Sequence, residues 1–167
     1  KGNLLDIGCA TGRHFVNNKG KAEIYAVDFS SEMINYAKKK AEEKGISSIK
    51  FLVASAEELP FENEFFDNTL CIAVLHCIQG KEHRKKALKE IFRTLKKKGK
   101  LKISVWNKNS TRFLKKNKED TVKWTDKGER YYYFYDEEEF LSELKEAGFK
   151  ILEKKIGVNI DVLCEKA

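Results

Sequence analysis

The sequence is poor in the residues that punctuate or cross-link a chain. It has one proline, Pro60, in 167 residues. Proline, glycine and serine accumulate nowhere, and there is no internal repeat or low-complexity linker, so a second domain is not expected. Residues 1–167 read as a single domain able to bury one substantial core. No apolar run reaches the roughly 18 residues of a membrane span, so no membrane association is expected. Cysteine pairs are missing too: Cys9, Cys71, Cys77 and Cys164 form no Cys-x-x-Cys. Three lie in or beside strand-like apolar runs, where a thiol behaves as a small hydrophobe. That reads as a reducing, cytoplasmic location. His76, Cys77 and His83 match no zinc spacing, so no metal is expected.

The chain opens directly on KGNLLDIGC. This start implies no signal peptide. Lys1 stands two residues before a core strand, so an N-terminal helical segment is expected to be absent in front of it. Hydrophobic residues at 41% and charged residues at 35% fit a globular chain rather than a disordered one. Net charge is +7, and it is uneven: Lys81 to Lys118 holds only two acids, Glu82 and Glu90, whereas acids dominate from Glu129 to Glu146. A basic half fits an anionic partner such as nucleic acid, or a Lys-rich solubilising surface.

Hydrophobic periodicity gives the elements. Asn3–Gly8, Ala22–Phe29 and Ile49–Ala54 read as buried strands, and Phe66–Ile78 as a fourth that runs into a tight connection. CATGRHFVNN reads as a turn into a short helix. A helix follows Ser30 as its cap and stops at Gly45. Lys81–Lys98 reads as a helix with Ala87, Leu88, Ile91, Phe92 and Leu95 on one face and lysines on the other. Lys100–Trp106 is a fifth strand. Residues 107–135 show little periodicity and form the main insertion, on the substrate side. Asp136 and Glu139 then propose a capping box for a helix that ends at Gly148, followed by two more strands. Strict alternation of strand and helix means an α/β fold with a mostly parallel sheet, whose ligands bind beyond the carboxyl ends of the strands.

DIGCATG, Asp6 to Gly12, closes the first strand, and Asp28 closes the second about twenty residues on. Small residues allow close backbone approach to a ligand, and a carboxylate at Asp28 can accept both hydroxyls of a ribose. The dinucleotide pattern G-x-G-x-x-G fits poorly, because Gly8 and Gly12 are four apart. D-x-G-x-x-x-G instead resembles the glycine motif of class I S-adenosylmethionine-dependent methyltransferases. LDIGCATG, AVDFSSEMINYAKKKA, ASAEELPFENEFFDNTLCIAVLHCI and LKEIFRTLKKKGKLKISVW carry the resemblance in register along nearly the whole chain. It implies a Rossmann-like fold with a seven-stranded, mostly parallel sheet, its last strand antiparallel, flanked by helices. It implies S-adenosyl-L-methionine as cofactor, held by Gly8, Cys9, Ala10, Thr11 and Gly12. Asp6 would reach the cofactor's amino group or order the loop. Asp28 would take the ribose, with Phe29 and Met33 flanking the adenine, Ser55 and Ala56 at its edge, and Ala73 and Val74 near the methionine part. Two positions depart from the family: Ala10 replaces a glycine, and Ser55 replaces an Asp, giving a weaker acceptor.

The second half, from CIAVLHCIQG through DTVKWTDKGERYYYFYDEEEF to NIDVLCEK, resembles the tRNA wobble-uridine carboxymethyl methyltransferases. Asp120, Val122, Trp124, Arg130, Tyr131 and Tyr132 match that family. Lys123 replaces its proline and Tyr133 its histidine. The implied reaction is O-methylation of the carboxylate of 5-carboxymethyluridine in tRNA. A carboxylate is already ionised at neutral pH, so no general base is required and positioning dominates. Arg13, His76, Arg112 and Arg130 are candidate cations to orient it. Arg13, His76 and Arg130 are equally open to a plain structural or solvated role, whereas Arg112, among lysines, suits a phosphate contact or an idle charge better than chemistry. Arg112, Lys115 and Lys116 would meet RNA phosphates, and Trp106 and Trp124 could stack on bases, although core packing suits both. The family further implies a small zinc-binding activator subunit at the sheet edge near the third strand. The alternatives are a small-molecule or lipid methyltransferase of the same superfamily, and an inactive RNA-binding or scaffold module. The aromatic run Tyr131–Tyr135 is expected to pack alternate rings inward and turn the others, with Arg130, to the substrate.

Overall fold

Strand β1 (Gly2–Ile7) ends with three consecutive buried residues, Leu5, Asp6 and Ile7, which happens when a strand is covered on both faces. In this computed structural model, which describes residues 2–14, 22–123 and 128–167, β1 is an interior strand of a seven-stranded sheet. The chain continues through β2 (Ala22–Asp28), α1 (Ser31–Glu43), β3 (Ile49–Val53), β4 (Phe66–Ile72), a 3-10 turn (Leu75–Cys77), α2 (Lys81–Thr94) and β5 (Leu95–Trp106). It then forms β6 (Glu119–Lys123), β7 (Glu129–Tyr133), α3 (Glu137–Glu146), β8 (Phe149–Ile156) and β9 (Asn159–Lys166). The sheet order is β3-β2-β1-β4-β5-β9-β8. The first five strands are parallel, and β9 runs antiparallel to both β5 and β8. Strand order reverses between β1 and β4, so the crevice for a ligand opens at their carboxyl ends.

Side-chain alternation sends Leu5, Ile7, Tyr25, Val27, Leu101 and Ile103 to one face. There they meet Ala87, Leu88 and Ile91 of α2 and Phe140 and Leu144 of α3. Ile24 and Ala26 point to the other face, against Ile34, Ala37 and Ala41 of α1. That 3-and-4 spacing is one stripe of a helix. The Ser30 hydroxyl caps α1, accepting from the Met33 N–H at 3.3 Å.

Three expectations need correction. Helix α2 ends at Thr94, four residues short of Lys98, because Leu95 pairs with Phe66 and starts β5. Lys98 there takes φ 61 and leads into the buried Gly99, where the strand bulges. Strand β4 stops at Ile72 rather than running to Ile78, since Ala73 turns the backbone with φ 59. The capping box of α3 does not form: Asp136 makes no cap hydrogen bond, and Asp136 and Glu139 both pair with Lys118. The insertion is partly ordered as a hairpin, β6 paired antiparallel with β7. The short helix after the glycine loop and Trp124 fall wholly or partly outside the described residues.

The aromatic run also differs from expectation, because both sets of alternate rings are covered. Tyr132 and Phe134 pack on Trp106, at ring distances of 4.4 and 5.7 Å. Tyr133 and Tyr135 face the main core, where the buried Arg84 guanidinium lies 3.8 Å over the Tyr133 ring. The run lies between two hydrophobic clusters, so strand alternation serves both. Arg130, at its start, is exposed.

Candidate functional site

Asp28, the last residue of β2, is 6% exposed yet lines the crevice. Its Oδ2 accepts from the Ala10 N–H and its Oδ1 from the Ser30 N–H, each at 3.0 Å. The carboxylate thereby joins the loop after β1 to the start of α1. Gly8 begins that loop at φ +66, and a Cβ there would lie 2.3 Å from Val74 Cγ2. A side chain at position 8 is thus excluded both by conformation and by space.

The crevice beyond these strand ends is a cleft of about 800 Å³, within the size range of small-ligand sites. Gly8 and Asp28 form its floor. Phe29 and Ala54–Glu57 form one wall, and Val74 with Cys77–Gly80 form the other. The Phe29 ring is 83% exposed, an unusual position for so large an apolar group and one suited to stacking on a flat ligand. Of the residues expected to hold the cofactor, Gly8, Asp28, Phe29, Ser55, Ala56 and Val74 line the cleft. Cys9 and Gly12 are buried in the adjoining turn, where Gly12 N–H bonds to Cys9 O, while Ala10 and Thr11 are exposed on it. Ala10 holds φ 44 in the place the family gives to glycine. Met33 is partly buried on α1, and Ala73 is exposed beside Val74.

Asp6 is the most strained electrostatic feature. Both of its oxygens are buried without a hydrogen-bond partner among the described residues. Burial, helped by the charge of Asp28, pushes its carboxyl up to about 7. Asp6 therefore does not order the loop through hydrogen bonds.

His76 does not carry a cation. It is 1% exposed, its Nδ1 accepts from the Trp106 N–H at 3.2 Å, and burial lowers its pKa to about 4. It stands outside the cleft lining as a neutral packing residue, which removes it as an orienting charge. The rings of His76, Phe113 and Tyr132 stack on Trp106 at 4.4 to 4.8 Å, which commits that indole to packing rather than to a base. Tyr132 is buried with it, and Tyr131 is partly buried against the main core. Arg13 is exposed on the glycine-loop turn. Arg112, Lys115 and Lys116 are exposed together on the turn between β5 and β6. Arg130 is exposed, and its charge acts on Cys77, which lines the cleft.

The cleft also contains residues that sequence reasoning missed. Glu57 and His83 face each other across it, with Nδ1···Oε1 at 2.6 Å. Cys77, Ile78, Gln79 and Gly80 line the opposite wall. The Glu57 loop is held from behind by Glu90 and Arg93. Arg93 donates to the carbonyls of Leu59 and Phe61, and Glu90 accepts from the Leu59 N–H. The signal available in the sequence was Glu57, two residues past the expected adenine-edge position. Only the fold brings His83 to it.

Residues 5–103 match the family of methyltransferase domains. The chain is 31% identical over 112 residues to the ubiquinone/menaquinone biosynthesis C-methyltransferase of Vibrio cholerae; that alignment covers 63% of this chain and 41% of the relative. It is 34% identical over 131 residues to the tRNA (carboxymethyluridine(34)-5-O)-methyltransferase of Arabidopsis thaliana, covering 77% of this chain and 28% of the relative. The chain thus spans less than half the length of either. A solved S-adenosylmethionine-dependent methyltransferase from Methanosarcina mazei shares the fold with a TM-score of 0.87 at 21% identity, over 99% of this chain and 92% of that one.

Proposed function

Since the chain belongs to the family of methyltransferase domains and takes S-adenosylmethionine as its cofactor, we propose that it methylates the carboxylate of 5-carboxymethyluridine at the tRNA wobble position. The observation that carries this reading is the reach of the Arabidopsis alignment. It extends over 131 residues, beyond the span of the family match and further than the quinone-pathway alignment.

The residues fit the cofactor. Asp6 is a buried carboxyl with no hydrogen-bond partner among the described residues, which suits the cofactor's ammonium group. Asp28 has oxygens at the cleft floor for the ribose hydroxyls. Phe29 and the small Ala54–Ala56 wall accept a flat base. When bound, the cofactor supplies a methyl group on a positively charged sulfur.

The chain's own contribution is then positioning and exclusion of water. The acceptor carboxylate is ionised at neutral pH, so no residue has to remove a proton from it. Arg130 is assigned as the cation that orients that carboxylate, because it is exposed and its charge acts on Cys77, a residue of the cleft lining. Arg112, Lys115 and Lys116 provide exposed charge for phosphates of a single-stranded loop. The same reading places a small zinc-binding activator at the β3 edge, where Val53 is 55% exposed. An unprotected edge of this kind favours pairing or cover.

A second reading, methylation of a small molecule or lipid, is supported by the Vibrio relative. One experiment separates the two. The full-length protein, with its candidate activator, is incubated with methyl-labelled cofactor, hypomodified tRNA and a lipid extract. Base-labile label in the tRNA anticodon is expected. Label found only in lipid or small molecules would sink the tRNA reading. Failure to bind the cofactor at all would favour an inactive scaffold.

A further inference from the structure

Resting on the placement of the adenine along the Phe29–Ala56 wall, we propose that Glu57 recognises the amino group of the cofactor's base and that His83 is its positioning residue. An amino group brought into a mostly apolar cleft needs an acceptor, because an unpaired donor there is costly.

The acceptors available can be compared in turn. Asp28 already receives two backbone N–H groups and sits at the end of β2, on the ribose side. The Ser55 hydroxyl accepts from the Glu57 N–H at 3.2 Å and is uncharged. Gln79 lines the opposite wall and makes no hydrogen bond among the described residues, so nothing holds its amide in place. Glu57 stands one residue beyond Ala56 on the adenine wall. Its Oε1 takes the His83 Nδ1 at 2.6 Å, and its Oε2 makes no hydrogen bond among the described residues. A carboxylate only accepts, so His83 must be the donor.

The Glu57 side of the pair is held in place. Glu57 rides on the loop that Glu90 and Arg93 hold at Leu59 and Phe61. His83 stands in the first turn of α2 against Gly80, where an added Cβ would come within 3.1 Å of its Cδ2. One carboxylate oxygen is thus committed to the imidazole, and the other is left for a donor in the cleft. A bond from a neutral donor to a carboxylate is roughly twice as strong as one to a neutral acceptor. Glu57 therefore sets a preference for a base that donates at this edge over one that accepts.

The test compares two ligands in the same protein. S-adenosylhomocysteine carries the amino group, whereas S-inosylhomocysteine carries an oxygen acceptor in its place. Wild-type protein is expected to bind the adenosyl ligand about tenfold or more tightly by calorimetry, as a charged hydrogen bond opposed by an acceptor–acceptor contact requires. In Glu57→Gln, whose amide can face either group, the ratio should fall to about threefold or less. In His83→Phe, which keeps a ring against Gly80 but loses the N–H, the ratio should also fall, with affinity for the inosyl ligand unchanged. Because each ratio is measured within one variant, loss of stability cannot imitate the result. Glu57→Gln keeping the wild-type ratio would overturn the role of Glu57, and His83→Phe keeping it would overturn the positioning role. The cofactor placement itself fails separately, if Asp28→Ala leaves the affinity for S-adenosylhomocysteine unchanged.

Discussion

Asp28 accepts the backbone N–H of Ala10 at 3.0 Å, so the last residue of β2 holds the loop that follows β1. The contact joins the ends of the adjacent parallel strands β1 and β2, beside the point between β1 and β4 where the sheet order reverses. One carboxylate thereby shapes the loop and faces the cleft.

Replacing it should affect both roles. Asp28→Ala is expected to weaken cofactor binding by roughly tenfold or more, about 1.4 kcal/mol. Leaving the Ala10 N–H without an acceptor adds a stability loss of about 1–3 kcal/mol. Calorimetry and denaturant unfolding read the two effects separately, and unchanged affinity would refute the placement of the ribose.

Asp6 gives a pH dependence whose sign is fixed by its raised pKa of about 7. The folded protein holds this proton at pH values where the unfolded chain has lost it. Its contribution to stability is therefore fully present below about 4 and lost as pH rises to about 7. Cofactor binding should run the opposite way, strengthening above pH 7 as the carboxylate becomes available to an ammonium group. Asp6→Asn is expected to raise the melting temperature of the ligand-free protein at pH 8 and to flatten both profiles. A steep affinity profile retained in Asp6→Asn would assign the titration to another group.

Gly8→Ala should fail for a steric reason. Its Cβ would lie 2.3 Å from Val74 Cγ2, at φ +66. A cost of about 1–3 kcal/mol in stability is expected, together with loss of cofactor binding. Adding Val74→Ala should recover part of the stability by removing the clash, leaving the conformational cost. No recovery in the double variant would mean that the contact is not the cause.

Arg130→Gln tests the substrate side alone. The tRNA methylation rate should fall by about tenfold or more while cofactor affinity stays as in wild type, because the arginine is exposed and is not among the cleft-lining residues. An equal loss of cofactor affinity would move Arg130 into the cofactor site instead. His76→Gln serves as the contrasting variant, expected to lower stability through the lost packing on Trp106.

The sequence by itself determined the α/β alternation and the buried strands β1 and β2, because buried parallel strands read as apolar runs, here closed by Gly8 and Asp28. It also determined the glycine loop and Asp28, whose spacing is local to two strands and their turns. The stripe of Ile34, Ala37 and Ala41 on α1 was legible for the same reason: helical periodicity is a property of adjacent residues. What only the tertiary structure decided depends on contacts between distant segments. Leu95 has the apolar character of the α2 stripe, yet pairing with Phe66 makes it a strand. Asp136 and Glu139 have cap spacing, yet Lys118 takes them. His76 has the chemistry of a catalytic group, but burial against Trp106 makes it a neutral acceptor. Glu57 and His83 stand 26 residues apart, and only the crossing of the β3 loop and α2 over one cleft turns them into a pair. Local pattern encodes the elements, while desolvation and long-range pairing assign each polar side chain its partner.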